Sequence, residues 1–272
     1  MLRGVHAVLS TRLLSALVLI PLVIAAVYLG DFWFAGLAVL VATLATIEFY
    51  QISRRLGARP SMVVGTVLAA ALVLAARFPS RGIGPAVFVG ALAALMLTRV
   101  LRQNFQGFLV DWSSTLAGSA YVGGMLSYFV LLRDLPEGLA WVALAGLTTW
   151  ASDTAAYFVG TMWGRQPFFP KVSPRKTVEG AMAGLSVGTI VAAGIGIPFL
   201  RLMPAQAMAL GVLLSLAATF GDLAESLVKR QAGVKDSGNL IPGHGGALDR
   251  IDSLLFAGVT VYYFAVWVVG AV

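Results

Sequence analysis

The chain has 272 residues, of which 59% are apolar and 11% charged, and its mean hydropathy is +0.88. This excludes an ordinary soluble globular domain and points to an all-α polytopic integral membrane protein, with room for about eight to ten spans of roughly 20 residues each. The absence of cysteine excludes a disulfide framework and thiolate chemistry, two histidines (His6 and His244) argue against a zinc site, and the net charge of +7 is scattered between apolar segments rather than gathered into a nucleic-acid-binding stripe.

Met1–Arg12 is short and basic, and Leu13–Leu29 is the first uncharged run. A cleaved signal peptide is the alternative for that run, but another apolar segment follows almost at once. Asp31 marks a turn, and Phe32–Tyr50 is the second predicted span, with Glu48 near its end. Arg54, Arg55 and Arg59 form a basic loop. Met62–Ala76 and Ile83–Leu97 are the third and fourth spans, Arg99–Asp111 a polar loop, and Ser114–Leu132 the fifth span. After a turn at Arg133–Glu137 come Leu139–Val159, which carries Asp153, and the polar connection 160–177. Gly180–Phe199, Leu202–Gly221 and Leu254–Val272 complete about nine predicted transmembrane helices.

Charge asymmetry orients these spans. With a cytoplasmic N-terminus, 15 of the 19 basic residues fall on the cytoplasmic side, and Arg77, Arg81, Arg133 and Arg201 fall on the other. The bias persists, at seven against four, when the polar connections 160–177 and 222–252 are left out. The positive-inside rule therefore predicts the N-terminus in the cytoplasm, the C-terminus outside, and both polar connections facing the cytoplasm. Residues 1–137 read as packing helices, whose small residues Gly118, Ser119, Gly123 and Gly124 suit close helix contact and a homodimer. Residues 138–272 hold the charged chemistry.

That chemistry is densest in Gly221–Ser253, which contains Asp222, Glu225, Lys229, Arg230, Lys235, Asp236, His244, Asp249, Arg250 and Asp252. Asp222, Glu225, Ser226 and Lys229 share one face at helical spacing, and Asp249 and Asp252 do the same. Gly233, Gly238, Pro242, Gly243, Gly245 and Gly246 break the helix between them and admit a ligand close to the backbone. Carboxylates with lysines and a glycine-rich turn suit a hard divalent cation holding a polyphosphate. Two acidic helix faces side by side would repel without such a cation.

Two further stretches carry candidate polar groups. Asp153 lies in an apolar run, at a cost of about 3 kcal/mol on insertion scales. It is either an interfacial residue solvated by headgroups or an acid facing a ligand. In Phe169–Gly180, Ser173-Pro174 reads as helix N-cap and first helical position, with Thr177 one turn on. With Lys171, Arg175 and Lys176 nearby, this is either a phosphate site at a helix N-terminus or a basic loop on anionic headgroups. For His244, a phosphate donor, a loop hydrogen bond and a bystander all stay open.

The ordered series Ser226, Lys229-Arg230, Lys235-Asp236, Gly238, Pro242, His244-Gly245-Gly246, Asp249-Arg250 and Asp252 resembles the hallmark of the phosphatidate cytidylyltransferases, or CDP-diacylglycerol synthases. The Gly221-Asp222-Leu223 lead-in matches too, as do Asp153, Tyr157 and Gly160, and the series Ser173-Pro174, Lys176-Thr177 and Glu179-Gly180. The motifs cover roughly residues 145–260; Ala247, where a larger aliphatic is usual, and Arg175, where lysine is common, depart from the pattern.

The resemblance implies transfer of a cytidylyl group from CTP to phosphatidate, giving CDP-diacylglycerol and diphosphate for phospholipid biosynthesis at the inner (plasma) membrane. It further implies Asp222 and Asp249 as principal metal ligands, with Asp252 and Asp236 in support, and a catalytic group of Asp222, Asp249, Lys229 and Asp252. Phosphates would meet Ser173, Lys176, Thr177, Ser226, Arg230, Lys235, His244 and Arg250, with Asp153 lining the same cavity. The expected cofactor is Mg²⁺, two cations per site, and the expected partners are CTP, phosphatidate and membrane lipid. Rival readings are another membrane CTP- or CDP-dependent lipid transferase or kinase, and a cation-coupled transporter with an intramembrane acid site. The Asp-x3-Asp pattern of CDP-alcohol phosphotransferases is absent, and no inverted repeat is apparent.

Overall fold

Residues 17, 19–103, 105–238, 240 and 245–271 are described by a computed structural model. Met1–Arg12 falls wholly outside these residues, and the predicted span Leu13–Leu29 falls partly outside. Among the described residues the chain forms nine helices and no strand: α1 (Leu19–Leu29), α2 (Asp31–Arg55), α3 (Met62–Ala75), α4 (Ile83–Leu101), α5 (Phe108–Asp134), α6 (Gly138–Trp163), α7 (Val178–Leu200), α8 (Pro204–Gln231) and α9 (Asp252–Val269). Six of them, α2, α4, α5, α7, α8 and α9, are long and apolar enough to cross a membrane. α1 and α3 are shorter, and α6, although 26 residues long, is made more polar by Thr148, Thr149, Ser152 and Asp153. Its hydroxyls are turned inward: Thr148, Thr149 and Ser152 are buried.

The chain folds as two units. The first comprises Met1–Val130 and Gln231–Arg250. Its axis is α2, whose buried face carries Ala35, Ala38, Ala42 and Ala45 at helical spacing. Below this small-residue stripe Tyr50 is fully buried, its hydroxyl 2.6 Å from the Thr115 carbonyl oxygen and 2.8 Å from Ser119 Oγ. Gly65 of α3 and Gly118 of α5 lie against the Tyr50 ring, where a Cβ would overlap it. Leu68, Leu95 and Leu116, with Trp112 against them, tie α3, α4 and α5 into an apolar cluster.

The predicted polar loop Arg99–Asp111 is shorter than expected, because α4 runs to Leu101 and α5 begins at Phe108. Asp111, expected in the loop, sits buried in the first turn of α5. Its carboxylate takes the Arg59 backbone N–H at 2.6 Å and Arg99 Nη2 at 2.9 Å. An acid there is neutralised by its partners and favoured by the helix dipole, so its charge does not exclude it from a helix. Within α5, Ser119–Gly124 form a π-helical segment.

The second unit comprises Leu131–Arg230 and Ile251–Val272. Here α6 and α7 pack through a stripe of small residues. A Cβ on Gly180 would lie 2.6 Å from the Ala156 carbonyl oxygen, and one on Gly184 2.9 Å from that of Ser152. Only glycine lets the two backbones come so near. The same device joins α8 to α9, where a Cβ on Gly221 would stand 2.7 Å from the Asp252 carbonyl oxygen.

Candidate functional site

The close approach at Gly221 brings the carboxylates of the second unit together. Helix α8 continues ten residues past Gly221, so Asp222, Glu225, Ser226, Lys229 and Arg230 are all helical. As the spacing predicts, their side chains interact one turn apart. Ser226 Oγ donates to Asp222 Oδ1 at 3.2 Å, and Lys229 Nζ donates to Glu225 Oε2 at 2.5 Å. Glu225 is fully buried and Lys229 nearly so. Asp252, the first residue of α9, stands close to Glu225 and feels the charges of Asp222 and Lys229. Asp153, from α6, hydrogen-bonds with Ser253 and feels the charges of Asp222 and Lys176. Lys176 Nζ lies 2.7 Å from Asp222 Oδ2, and both side chains are partly exposed. The result is a mixed cluster of acids and ammonium groups drawn from three helices and one connection.

That connection corrects a sequence expectation. Ser173-Pro174 does not open helix α7; Thr177 is the N-cap and Val178 the first helical residue. Thr177 has extended backbone (φ −124°, ψ 155°), and its Oγ1 accepts the Gly180 N–H at 3.2 Å. Upstream, residues 166–178 double back on themselves. Phe168 N–H donates to the Lys176 carbonyl at 2.7 Å, and Val178 N–H to that of Gln166 at 2.9 Å. Glu179 closes the fold by accepting the Arg165 N–H at 3.0 Å and the Gln166 N–H at 3.2 Å. Lys176 is thus presented by a braced turn immediately before a helix N-terminus. Ser173 accepts the Lys176 N–H through its carbonyl oxygen at 3.2 Å, and Arg230 Nε donates to the Val172 carbonyl at 3.3 Å.

In the first unit, the connection after α8 is built around a residue that sequence reasoning did not single out. Glu48 of α2 is 1% exposed. Its Oε1 accepts the Ala247 N–H at 3.0 Å, and its Oε2 accepts the Leu248 N–H and the Ser237 hydroxyl, both at 2.9 Å. Asp249 lies in the 3₁₀ turn Leu248–Arg250, and its Oδ2 accepts the backbone N–H groups of Ser237 and Gly246, both at 2.9 Å. A Cβ on Gly246 would collide with Glu48 and with Ser237 Oγ, so glycine is required there by close approach. Lys235, Asp236 and Arg250 are exposed. His244, with Pro242 and Gly243, lies outside the described residues.

The expectation that Asp249 and Asp252 share one helix face is also corrected. Ile251, at φ −120° and ψ −3°, separates the 3₁₀ turn from α9. The structure therefore gathers Asp153, Lys176, Asp222, Ser226, Lys229 and Asp252, with Glu225, in the second unit, and orders Asp249 separately in the first. Glu48 carried a usable signal, since it is an acid inside an apolar run like Asp153.

As a place for a hard cation, the donor chemistry fits: the available groups are carboxylate oxygens, and Asp222 is partly exposed with an ammonium already compensating its charge. Among the described residues, no group of three or more His, Cys, Asp or Glu side chains is arranged as a ready-made metal centre.

Residues 10–268 match the profile described as the cytidylyltransferase family. Proteins named phosphatidate cytidylyltransferase align over nearly the whole chain. The one from Synechocystis sp. is 35% identical, covering 94% of this chain and 96% of its own. That of Bacillus subtilis is 34% identical over 93% and 94%, and that of Brucella suis 33% over 94% and 93%.

Proposed function

The chain belongs to the cytidylyltransferase family, and from that premise we propose that it transfers the cytidylyl group of CTP to phosphatidate, releasing diphosphate and forming CDP-diacylglycerol. The observation that carries this reading is the cluster around Asp222, in which Lys176 and Lys229 stand among carboxylates at the junction of α8 and α9. A reaction between two phosphate anions needs fixed positive charge around the phosphorus and acids to organise it.

In this reading a phosphatidate phosphate oxygen forms a bond to the α-phosphorus of CTP. The bond from that phosphorus to the oxygen bridging to the β-phosphate breaks, and its electron pair leaves with diphosphate. The nucleophile is already anionic at neutral pH, so no strong general base is required. Lys176, with three donors on a partly exposed ammonium, is shared between Asp222 and an incoming phosphate. Lys229, held by Glu225, supplies a second fixed cation, and Arg230 and Lys235 extend the positive charge. Ser173, Thr177, Ser226, His244 and Arg250 complete the proposed phosphate contacts, with Asp153 lining the site.

Asp222 and Asp249, supported by Asp252 and Asp236, are the residues we assign to hold Mg²⁺, as two cations. When bound, the metal neutralises phosphate charge and orients the triphosphate. The predicted distribution of the basic residues, 15 on one side against four on the other, supports a site facing the cytoplasm and a cytoplasmic N-terminus, in the inner membrane. Gly118, Ser119 and Gly123 of α5 pack against Tyr50, Gly65 and Ala69 of the same chain, so the small-residue stripe is used within the unit rather than held free for the expected homodimer.

The test is incorporation of label from cytidine-labelled CTP into lipid by the purified protein in detergent. Label in an organic-soluble product that depends on phosphatidate supports the reading. Label confined to water-soluble CDP would indicate a kinase instead.

A further inference from the structure

We infer that Glu48 is a positioning residue for Asp249, acting through the backbone of the connection that carries it. The inference rests on the assignment of Asp249 to the reacting site made above. Glu48 is the one acid on the buried face of α2. It accepts three hydrogen bonds from residues 189 to 200 positions away in sequence: the Ser237 hydroxyl and the Ala247 and Leu248 N–H groups. A carboxylate, which accepts through both oxygens, satisfies all three donors at once. An apolar residue at position 48 would leave two backbone N–H groups buried without partners.

The same two segments hold Asp249. Ser237 gives its hydroxyl to Glu48 and its N–H to Asp249 Oδ2, and Gly246 gives its N–H to the same oxygen while its Cα lies against Glu48. Asp249 N–H in turn lies 3.3 Å from Ser237 Oγ. Glu48 and Asp249 are therefore two carboxylates clasping one loop, the first fully buried and the second partly exposed. The buried one fixes the backbone, and the backbone fixes the orientation of the exposed one. Close fit reinforces the arrangement, since a Cβ on Gly238 would stand 2.5 Å from Glu48 Oε1.

Hydrogen–deuterium exchange and turnover of Glu48→Gln and Ser237→Ala in the full chain provide the test. Glutamine keeps the size of the side chain but presents an NH₂ to one of the three donors. Ser237→Ala removes only the hydroxyl's two contacts, to Glu48 Oε2 and from the Asp249 N–H, leaves the Ser237 N–H to Asp249 in place, and guards against misfolding of the first variant. Faster exchange at residues 245–250 is expected in both, with unchanged exchange in α7. Turnover with CTP and phosphatidate is expected to fall about 10- to 100-fold, the range seen when residues supporting a metal ligand are removed. The fall should appear in kcat and in the Mg²⁺ concentration for half-maximal rate, with KM for phosphatidate little changed. Unchanged exchange at 245–250 overturns the inference, as does faster exchange there with wild-type turnover. Should wild type show no cytidylyl transfer, the functional proposal fails, and the exchange result alone decides whether Glu48 holds the loop.

Discussion

Lys176 and Asp222 are 46 residues apart in sequence and paired at 2.7 Å, with the lysine on the braced turn before α7 and the aspartate one residue past the glycine where α8 meets α9. Neither side chain is fully buried, so the pair contributes little stability by itself. Its geometry leaves a cation and an acid side by side and both partly exposed. Lys176→Ala is expected to lower kcat/KM by about 100-fold or more, with Lys176→Arg intermediate, because arginine keeps the charge but not the compact ammonium. Steady-state kinetics against CTP check this. Wild-type kinetics in Lys176→Ala would remove the residue from the site.

The Glu225–Lys229 pair behaves differently because it is buried. Glu225→Ala takes the paired carboxylate away from the buried Lys229 ammonium, and a loss of about 3–5 kcal/mol is expected. The double variant Glu225→Leu/Lys229→Met should recover most of the thermal stability in detergent while remaining inactive. Recovery of activity together with stability would show that Lys229 serves packing alone.

Gly221→Ala tests the approach of α8 to α9. The new methyl would meet the Asp252 carbonyl oxygen at 2.7 Å, and overpacking of this kind costs about 1–3 kcal/mol. Turnover should fall by more than the stability loss explains, because Asp222 and Asp252 both move. A melting temperature and turnover equal to wild type would contradict the packing described for this junction.

Thr177→Val removes the helix cap while keeping the side-chain shape, for a loss of about 1 kcal/mol, or about 2–4 °C in melting temperature. Thr177→Ser should be close to neutral. If the two variants melt alike, Thr177 is not the cap.

The helical part of the site was legible because its code is local. Asp222, Ser226, Glu225 and Lys229 recur at the spacing of one turn, and the structure pairs them at that spacing. Ser-Pro is a strong cap signal that points to too early a start for α7, and the residue types do not reveal the competing hairpin closed by Phe168 and Lys176. Asp111 suggests a loop because a charge beside an apolar run marks an end; its partners Arg59 and Arg99 lie outside its own helix. In the sequence Glu48 is only an acid near the end of a span. Its partners are some 200 residues away, and no spacing rule connects them. Asp249 and Asp252 have helical spacing, yet Ile251 breaks the helix between them.

The most direct test of the central claim is diphosphate release by the purified protein supplied with CTP, phosphatidate and Mg²⁺, with and without a chelator. The account predicts release that requires both substrates, matches CDP-diacylglycerol formed one for one, and stops when the chelator is added. Release from CTP without phosphatidate, or none from a folded protein, would contradict it.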